Sequence, residues 1–233
     1  MLALWDIDGT LLRVDHGIGR EMYVRSFRTL LGVDVQPIVE GMSFAGRTDR
    51  GLVYDIVDAA GVPRSAVDEV WLDFTKDMAT HAVELITPST LQVLDGAVET
   101  LNAFVEQGIT CGLLTGNIDS IAQHKLSMAG MPKVFCAGAY GGDHADRREL
   151  PPLAIGAVNA SLQSSFGPSD AVIIGDAIGD VDCARAHGIP CIAVTTGVHS
   201  DQELRDAGAA HVILSLAPAN ATTTLLRQVL GYL

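Results

Sequence analysis

The sequence predicts an α/β fold, in which a doubly wound, mostly parallel, Rossmann-like sheet carries a helical segment inserted after its first strand. Short apolar runs that suit strands buried on both faces recur along the chain. They read LALWDI, ITCGLL, AVII, CIAV and, more weakly, VIL at residues 2–7, 109–114, 171–174, 191–194 and 212–214. Helical patterns lie between the later runs, and strands that alternate with helices form parallel sheets through right-handed crossovers.

Apolar residues at helical spacing mark the helices. Those between strands are predicted at 98–105, 121–128 and 153–162, and a last one in the tail around Leu225. Residues from about 13 to 88 show helical periodicity without a convincing strand, which is enough chain for a small helical domain. We therefore predict a core formed by 1–14 and 89–233, and a helical insert at 15–88.

Composition excludes several classes of protein. The 233 residues are 48% hydrophobic, which supports a buried core and excludes a disordered chain. With 28 acidic and 15 basic residues, the net charge of −13 argues against binding to nucleic acid or to an anionic membrane. No apolar stretch reaches about 18 residues, so we expect neither a membrane span nor a signal peptide. Four scattered cysteines without a CxxC pair are typical of reduced thiols in a cytoplasmic protein.

Two carboxylates follow the first predicted strand, at Asp6 and Asp8 in the segment DIDGT. Side chains alternate along a strand, so both point to the same side, and Gly9 permits a tight turn after them. Two acids beside a buried strand repel each other and lose solvation unless a cation or a substrate compensates. An Asx-rich turn that merely closes the strand explains this crowding less well.

Two further strand ends carry polar residues. Thr115 ends the second run, and the N–H groups of Gly116 and Asn117 can bind an anion at the start of a helix, although such residues are also ordinary helix caps. Asp176 ends the third run, and Asp180 follows at the start of the next helix, where capping alone would also explain it. Ligands of doubly wound sheets bind at the carboxyl ends of the strands, so we expect these clusters to converge there.

Convergence would gather the carboxylates of Asp6, Asp8, Asp176 and Asp180 at one edge of the sheet. Their combined charge requires compensation, and oxygen ligands favour a hard divalent cation. The sequence therefore predicts a Mg²⁺ site.

In this order, DIDGTLL at 6–12, LTGN at 114–117 and GDAIGD at 175–180 resemble three motifs of the haloacid dehalogenase superfamily of phosphohydrolases. The resemblance spans nearly the whole chain and is greatest to the phosphoglycolate-phosphatase-like group. The insert stands where the helical cap of the C1 type lies, and GRTD at 46–49 resembles a cap segment of that group. A Rossmann-like core with a C1 cap is the fold that the resemblance implies.

The resemblance implies Mg²⁺-dependent hydrolysis of a small phosphorylated metabolite, with a phosphoglycolate-like substrate among the possibilities. Asp6 would be the nucleophile that forms an aspartyl-phosphate, and Asp8 the general acid and base. The metal would be held by the Asp6 carboxylate, the main-chain carbonyl of Asp8 and Asp176, with Asp180 acting through water.

The same resemblance assigns the phosphate-binding groups. Thr115 would donate to a phosphoryl oxygen, helped by the N–H groups of Gly116 and Asn117. In the cap, Arg47 could reach the leaving group when the cap closes, with Thr48 beside it. The alternative for Thr48 is a purely structural one, because it could cap a helix that starts near Arg50.

The family's third motif is a basic residue, usually Lys, before the last motif. The segment DRREL at 146–150 stands at that place, which makes Arg147 the first choice for the phosphate-binding cation. Lys125, ten residues after Thr115, is the second choice, and Arg148 stays open.

Three alternatives to a phosphatase share parts of this pattern. A phosphomutase of the same superfamily would use the same Asp6 and Asp8, so the motifs do not separate the two. A dehalogenase is disfavoured because that branch lacks the acid two residues after the nucleophile, where this chain has Asp8. A non-catalytic binding module would gain little from four clustered carboxylates. The substrate and the oligomeric state are not determined by the sequence.

Overall fold

The computed structural model describes residues 1–231. Its strands are Leu2–Trp5 (β1), Leu12–Val14 (β2), Leu91–Val93 (β3), Thr110–Leu114 (β4), Phe135–Ala139 (β5), Ala171–Gly175 (β6), Cys191–Val194 (β7) and His211–Ile213 (β8). Six of them form one parallel sheet in the order β5-β4-β1-β6-β7-β8, and β2 pairs with β3 antiparallel. The predicted α/β fold class is confirmed.

The helices are Ile18–Leu31 (α1), Gln36–Glu40 (α2), Asp49–Ala59 (α3), Arg64–Asp68 (α4), Trp71–Leu85 (α5), Ala97–Glu106 (α6), Asp119–Met128 (α7), Leu150–Leu162 (α8), Ile178–Ala186 (α9), Asp201–Asp206 (α10) and Ala219–Val229 (α11). Short 3-10 turns occur at Arg147–Glu149 and Pro168–Asp170. Helices α1 to α5 lie between β2 and β3. Their apolar faces pack together around buried aromatic residues such as Phe27 and Phe74, whose rings meet edge to face.

The central sheet is buried on both faces, which explains the unbroken apolar runs of its strands. Alternate residues of β1 enter two different clusters: Ala3 and Trp5 face α6, whereas Leu2 and Leu4 face the side of α8. The Trp5 ring lies 5.1 Å from the ring of Phe104 in α6. Both faces of the strand that precedes Asp6 are therefore held by packed side chains.

Some elements escaped prediction. Strand β5 has the sequence FCAGA, in which small residues replace an apolar run, and most of the strand is only partly buried because it lies at the sheet edge. Its Gly138 packs so closely on Leu113 of β4 that a Cβ there would overlap the neighbouring strand. The β2–β3 pair and the short helices α2 and α4 were also missed, since three to five residues are too few to show a periodicity.

The three polar clusters follow three neighbouring strands. Strand β1 lies between β4 and β6, and Trp5 pairs with Leu113 on one side and Ile174 on the other. Asp6, Thr115 and Asp176 each come directly after one of these strands, so they share one edge of the sheet. Among residues 1–231, no helix is both long and apolar enough to cross a bilayer.

Candidate active site

Three aspartates meet at the carboxyl ends of β1 and β6. One carboxylate oxygen from each of Asp6, Asp176 and Asp180 lies within 4.8 Å of the others, and all three side chains are buried. The main-chain N–H of Asp6 donates to the carbonyl of Ile174 at 2.9 Å, which extends the β1–β6 pairing to the residue that carries the first carboxylate. The packed strands thus fix the acid cluster in place.

Arg147 lies against this cluster from the short 3-10 turn before α8. Its Nη2 is 3.0 Å from Asp6 Oδ1 and 2.6 Å from Asp180 Oδ1, and its side chain is buried. These two carboxylates raise the pKa of Arg147 further above its usual value against the opposing effect of burial, so it stays charged. A single buried cation therefore compensates part of the negative charge of the three aspartates.

Both carboxylate oxygens of Asp180 accept hydrogen bonds from other groups of the protein. Its Oδ1 accepts from Arg147, and its Oδ2 accepts the main-chain N–H of Ala177 at 3.0 Å at the start of α9. A Cβ on Gly175 would collide with this carboxylate, so only glycine fits there. Asp180 thus orients Arg147 and caps α9, an arrangement that favours an indirect over a direct role at a metal.

Asp176 has the surroundings of a metal ligand. The hydroxyl of Thr10 donates to its Oδ1 at 3.0 Å, while its Oδ2 receives no hydrogen bond from residues 1–231. Gly9, with φ of +84°, and Gly197 border Oδ2 so closely that a Cβ on either would overlap it. Two glycines and an oxygen-only donor set therefore fit a hard divalent cation bound between Asp6 and Asp176.

A second network surrounds Asp8. The ammonium group of Lys125, in α7, lies 2.8 and 2.6 Å from the two Asp8 carboxylate oxygens and 2.7 Å from Asn117 Oδ1. Asn117 Nδ2 donates to Asp8 Oδ2 at 2.7 Å and to the Thr115 hydroxyl at 2.8 Å. The Asp8 side chain is 41% exposed, so it is held on one side and open on the other.

The structure brings together both leading candidates for the third-motif cation. Arg147 contacts Asp6, and Lys125 contacts Asp8, so each serves a different carboxylate. The helical path of α7 carries Lys125 back over the site, although ten residues separate it from Thr115. Arg148 is exposed and pairs with Asp146, away from the cluster.

The two predicted cap residues, Arg47 and Thr48, have different surroundings in the structure. Thr48 is buried and its hydroxyl accepts the N–H of Gly51 and donates to the carbonyl of Ala145, so it caps α3 and does not line the cavity. Arg47 lines the cavity and pairs with Asp55. The contacts of the Thr48 hydroxyl are therefore those of a helix cap, which is the structural alternative for this residue.

The site opens into a cavity of about 360 Å³ between the sheet edge and the helical insert, a size suited to a small metabolite. Most of the predicted site residues line it, but Thr115 and Asp180 are buried behind its wall. Its lining also includes residues that the sequence did not single out: Arg13, Arg20, Tyr23, Phe44 and Ile86. Asp49 also lines it. The Asp49 carboxylate accepts the Tyr23 hydroxyl at 2.5 Å and the N–H of Ile118 at 2.7 Å. Only a three-dimensional arrangement could reveal these positions, because they come from a short strand, a loop and helices that carry no motif.

Burial dominates the electrostatics of the cluster. It raises the pKa of Asp6 from 3.8 to about 7, an effect that Arg147 opposes and that Asp180 and Asp8 reinforce. Burial and the charges of Asp6 and Asp180 also raise the pKa of Asp176 well above its usual value. A bound cation would favour the ionised form of both.

The stability of the metal-free protein should fall as pH rises from 5 to 8. Because the pKa of Asp6 is raised in the folded state from 3.8 to about 7, the folded chain binds more protons than the unfolded chain in that window. The relevant measurement is the thermal unfolding midpoint in chelated buffer, for the natural protein, Asp6→Asn and the partly exposed control Asp146→Asn. We expect Asp6→Asn to have the shallower pH dependence; equal slopes in all three would contradict the assignment.

The sequence of the chain is similar to that of a known family. A sequence profile of haloacid dehalogenase-like hydrolases matches residues 1–188. The chain belongs to this family. The resemblance inferred from the motifs is confirmed, and the chain is a hydrolase of the haloacid dehalogenase type.

Individual relatives of the family carry phosphatase names. The chain is 28% identical over 206 residues to validoxylamine A 7'-phosphate phosphatase from Streptomyces hygroscopicus subsp. limoneus, covering 88% of this chain and 90% of that protein. It is 25% identical over 218 residues to a phosphoglycolate phosphatase from Pseudomonas fluorescens, covering 92% and 76%. A solved structure described as a predicted phosphatase from Clostridium acetobutylicum superposes with a TM-score of 0.69 at 22% identity, covering 97% and 98%; it supports the fold.

Proposed function

We propose that this hydrolase is a Mg²⁺-dependent phosphatase that cleaves a small phosphomonoester through an aspartyl-phosphate on Asp6. The observation that carries the proposal is the pairing of Asp6 with Arg147 inside an acid cluster that opens on the same cavity as Asp8. A carboxylate with that environment is positioned to attack an electrophile that brings its own negative charge.

In the first proposed step, a carboxylate oxygen of Asp6 attacks phosphorus and the bond from phosphorus to the leaving oxygen breaks. Protonated Asp8 transfers its proton to that oxygen, so that an alcohol departs. In the second step, Asp8 removes a proton from a water molecule, whose oxygen attacks phosphorus. The bond between the Asp6 oxygen and phosphorus breaks, and inorganic phosphate and protonated Asp8 are regenerated.

The residues that would hold the cation are Asp6, Asp176 and the main-chain carbonyl of Asp8. When bound, Mg²⁺ would neutralise charge, which lets an anionic nucleophile approach an anionic phosphoryl group. Asp180 would act through Arg147, because its Oδ1 accepts a hydrogen bond from Arg147 Nη2 at 2.6 Å. Thr10 would keep Asp176 turned towards the site through its 3.0 Å hydrogen bond.

The phosphoryl group would be held by the loop after β4. We assign Thr115 and the N–H groups of Gly116 and Asn117 to its oxygens, because they begin the segment that leads into α7. Lys125 keeps Asn117 and Asp8 in a common network and adds positive charge beside them. These donors would stabilise the charge that builds on the equatorial oxygens during transfer.

Residues 15–88 would act as a cap that excludes water. The first turn of α3 lies directly on the site: the N–H of Asp49 donates to the carbonyl of Gly116 at 2.7 Å, and that of Arg50 to the carbonyl of Gly141 at 3.0 Å. A Cβ on Gly116 would overlap the carbonyl of Arg47. This close docking corresponds to a closed cap, and substrate entry would break these few main-chain bonds.

Removing divalent cations tests the proposal. With an aryl phosphate as substrate, we expect phosphate release to stop in EDTA and to return when Mg²⁺ is added in excess. Activity that persists in rigorously metal-free protein would contradict the role of the cation. A sugar phosphate assayed in parallel separates the alternative, because a phosphomutase would yield an isomer in place of free phosphate.

Lys125→Gln is expected to lower kcat by about 10²-fold, within the range attributed to general acid–base catalysis. The substitution removes the cation that holds both oxygens of Asp8 and the side-chain oxygen of Asn117. Lys133→Gln is the matched control, since Lys133 is exposed and lies outside the cavity lining. Steady-state kinetics that show equal kcat for the two variants would remove Lys125 from the mechanism.

A further inference from the structure

Most basic side chains of this acidic protein lie within 4.0 Å of a carboxylate. Over residues 1–231 the exceptions among lysines and arginines are Arg13, Arg20, Lys133 and Arg227, and two of these, Arg13 and Arg20, line the cavity above Asp6. In a chain with 28 acidic residues, arginines without a carboxylate partner at this particular place need an explanation.

Of the two, Arg20 contacts more groups of the protein, since Arg13 donates only to the carbonyl of Thr196 within the part of the chain that the structure describes. Arg20 lies on α1 in the helical insert, and its Nε donates to the carbonyl of Val39 while its Nη2 donates to the carbonyl of Met42, both at 2.9 Å. Its guanidinium carbon lies 5.1 Å from the centre of the Phe44 ring. Carbonyls and an aromatic face fix the orientation of the group without neutralising it, so its full charge remains available to a ligand.

Two carboxylates of the insert line the cavity, Asp15 and Asp49, and within residues 1–231 neither lies within 4.0 Å of the Arg20 guanidinium. Asp49 accepts the Tyr23 hydroxyl and the N–H of Ile118, and burial raises its pKa. The cations nearest to the reacting carboxylates are Arg147 and Lys125, which belong to the core. Arg20 belongs to the opposite wall, where the part of the substrate beyond the phosphoryl group would lie.

We propose that Arg20 is a specificity-determining residue that binds a negatively charged group on the leaving-group side of the substrate, either a carboxylate or a second phosphate. The inference rests on the proposed function, which supplies the phosphoryl end of the same molecule. Arginine suits both groups because its planar N–H donors match the oxygens of carboxylate and phosphate.

The experiment compares kcat/KM for three small esters that differ at the end away from the phosphoryl group. That end is a carboxylate in 2-phosphoglycolate, a second phosphate in propane-1,3-diol bisphosphate and an uncharged hydroxyl in 2-hydroxyethyl phosphate. The natural protein should prefer at least one charged substrate by about 10-fold to 100-fold, the value of a hydrogen bond to a charged group. Whichever charged ester is preferred identifies the carboxylate or the phosphate as the natural group.

Arg20→Gln should bring that preference close to unity, whereas Arg25→Gln should keep it. Arg25 lies on the same helix, pairs with Glu21 and Glu84, and does not line the cavity. The preference is a ratio within one protein, so a lower fraction of folded enzyme cancels. If Arg20→Gln does not fold, Arg20→Lys replaces it in the experiment. This variant keeps the charge but loses the paired N–H donors, so it should retain only part of the preference.

Binding separates this inference from the proposed function. Calorimetric titration of the three esters into Asp6→Asn and into the double variant Asp6→Asn/Arg20→Gln measures the same charge preference without turnover. Absence of a preference in the natural protein, or its survival in Arg20→Gln, would overturn the role of Arg20 while phosphatase activity stood. Absence of all hydrolysis with an intact binding preference would overturn the phosphatase proposal and leave Arg20 as an anion-binding residue.

Discussion

Asp6→Asn is expected to lower kcat for an aryl phosphate by at least about 10⁴-fold, because it removes the proposed nucleophile. The fold should survive, since Asn has the size of Asp and the main-chain N–H at this position still donates to Ile174. Loss of a buried charge beside Asp176 and Asp180 should hold or raise the thermal unfolding midpoint in metal-free buffer. Phosphate release under saturating substrate measures the effect.

The matched control is Asp146→Asn, the same chemical change at a surface carboxylate that pairs with Arg148. It should leave kcat unchanged within experimental error. Turnover by Asp6→Asn at the rate of Asp146→Asn would refute the assignment of the nucleophile.

Arg147→Met is expected to destabilise the metal-free protein by about 3–5 kcal/mol at pH 7.5, because breaking a buried ion pair leaves its partner charges uncompensated. Both Asp6 and Asp180 would lose their cation, and neither is exposed to solvent. This loss of unfolding free energy should be smaller at pH 5, because the Asp6 carboxyl, with a pKa of about 7, takes up a proton there. Denaturant unfolding at the two pH values measures it.

Arg148→Met is the neighbouring control. Arg148 is exposed and its pair with Asp146 is worth only about 0–1 kcal/mol. Added Mg²⁺ should recover part of the stability lost in Arg147→Met, since a cation on Asp6 and Asp176 replaces part of the missing charge. If the two variants unfold at the same denaturant concentration, the buried arginine does not hold the cluster together.

The strands that the sequence predicts most clearly are those whose neighbours bury both faces, whereas the partly buried edge strand β8 gave only a weak apolar run. Strands β1, β4, β6 and β7 each read as an apolar run because side chains from both helical layers cover them. Strand β5 could not be predicted, since an edge strand that packs through Gly138 against β4 needs small residues rather than apolar ones. Its pairing is a tertiary contact that no local pattern encodes.

The acidic half of the site was predictable for a related reason. Residues that follow neighbouring parallel strands share one edge of the sheet, so Asp6, Thr115 and Asp176 could be grouped before their distances were known. For the basic half, the sequence supplied the candidates Arg147 and Lys125 but not the carboxylate that each contacts. Arg147 and Lys125 approach from a 3-10 turn and a helix, whose positions depend on packing, and each proved to contact a different carboxylate.

The insert is where sequence patterns were least informative. Amphipathic periodicity identifies α1, but it does not show that Arg20 lies against Phe44 and lines the cavity. The structure shows where part of the net charge of −13 lies. Part of it is gathered beside β1, where Arg147 balances it incompletely, and the remaining deficit is what a divalent cation would supply.

The most direct measurement of the proposed mechanism is pre-steady-state hydrolysis of 2,4-dinitrophenyl phosphate by Asp8→Asn. This leaving group departs without a proton, so Asp6 can still be phosphorylated, whereas removal of a proton from water needs Asp8. We predict a burst of one equivalent of dinitrophenolate, slow release of phosphate, and reduction of residue 6 alone by borohydride in the quenched protein. Equal amounts of dinitrophenolate and phosphate from the first turnover, or a reduced residue other than Asp6, would contradict the aspartyl-phosphate on Asp6.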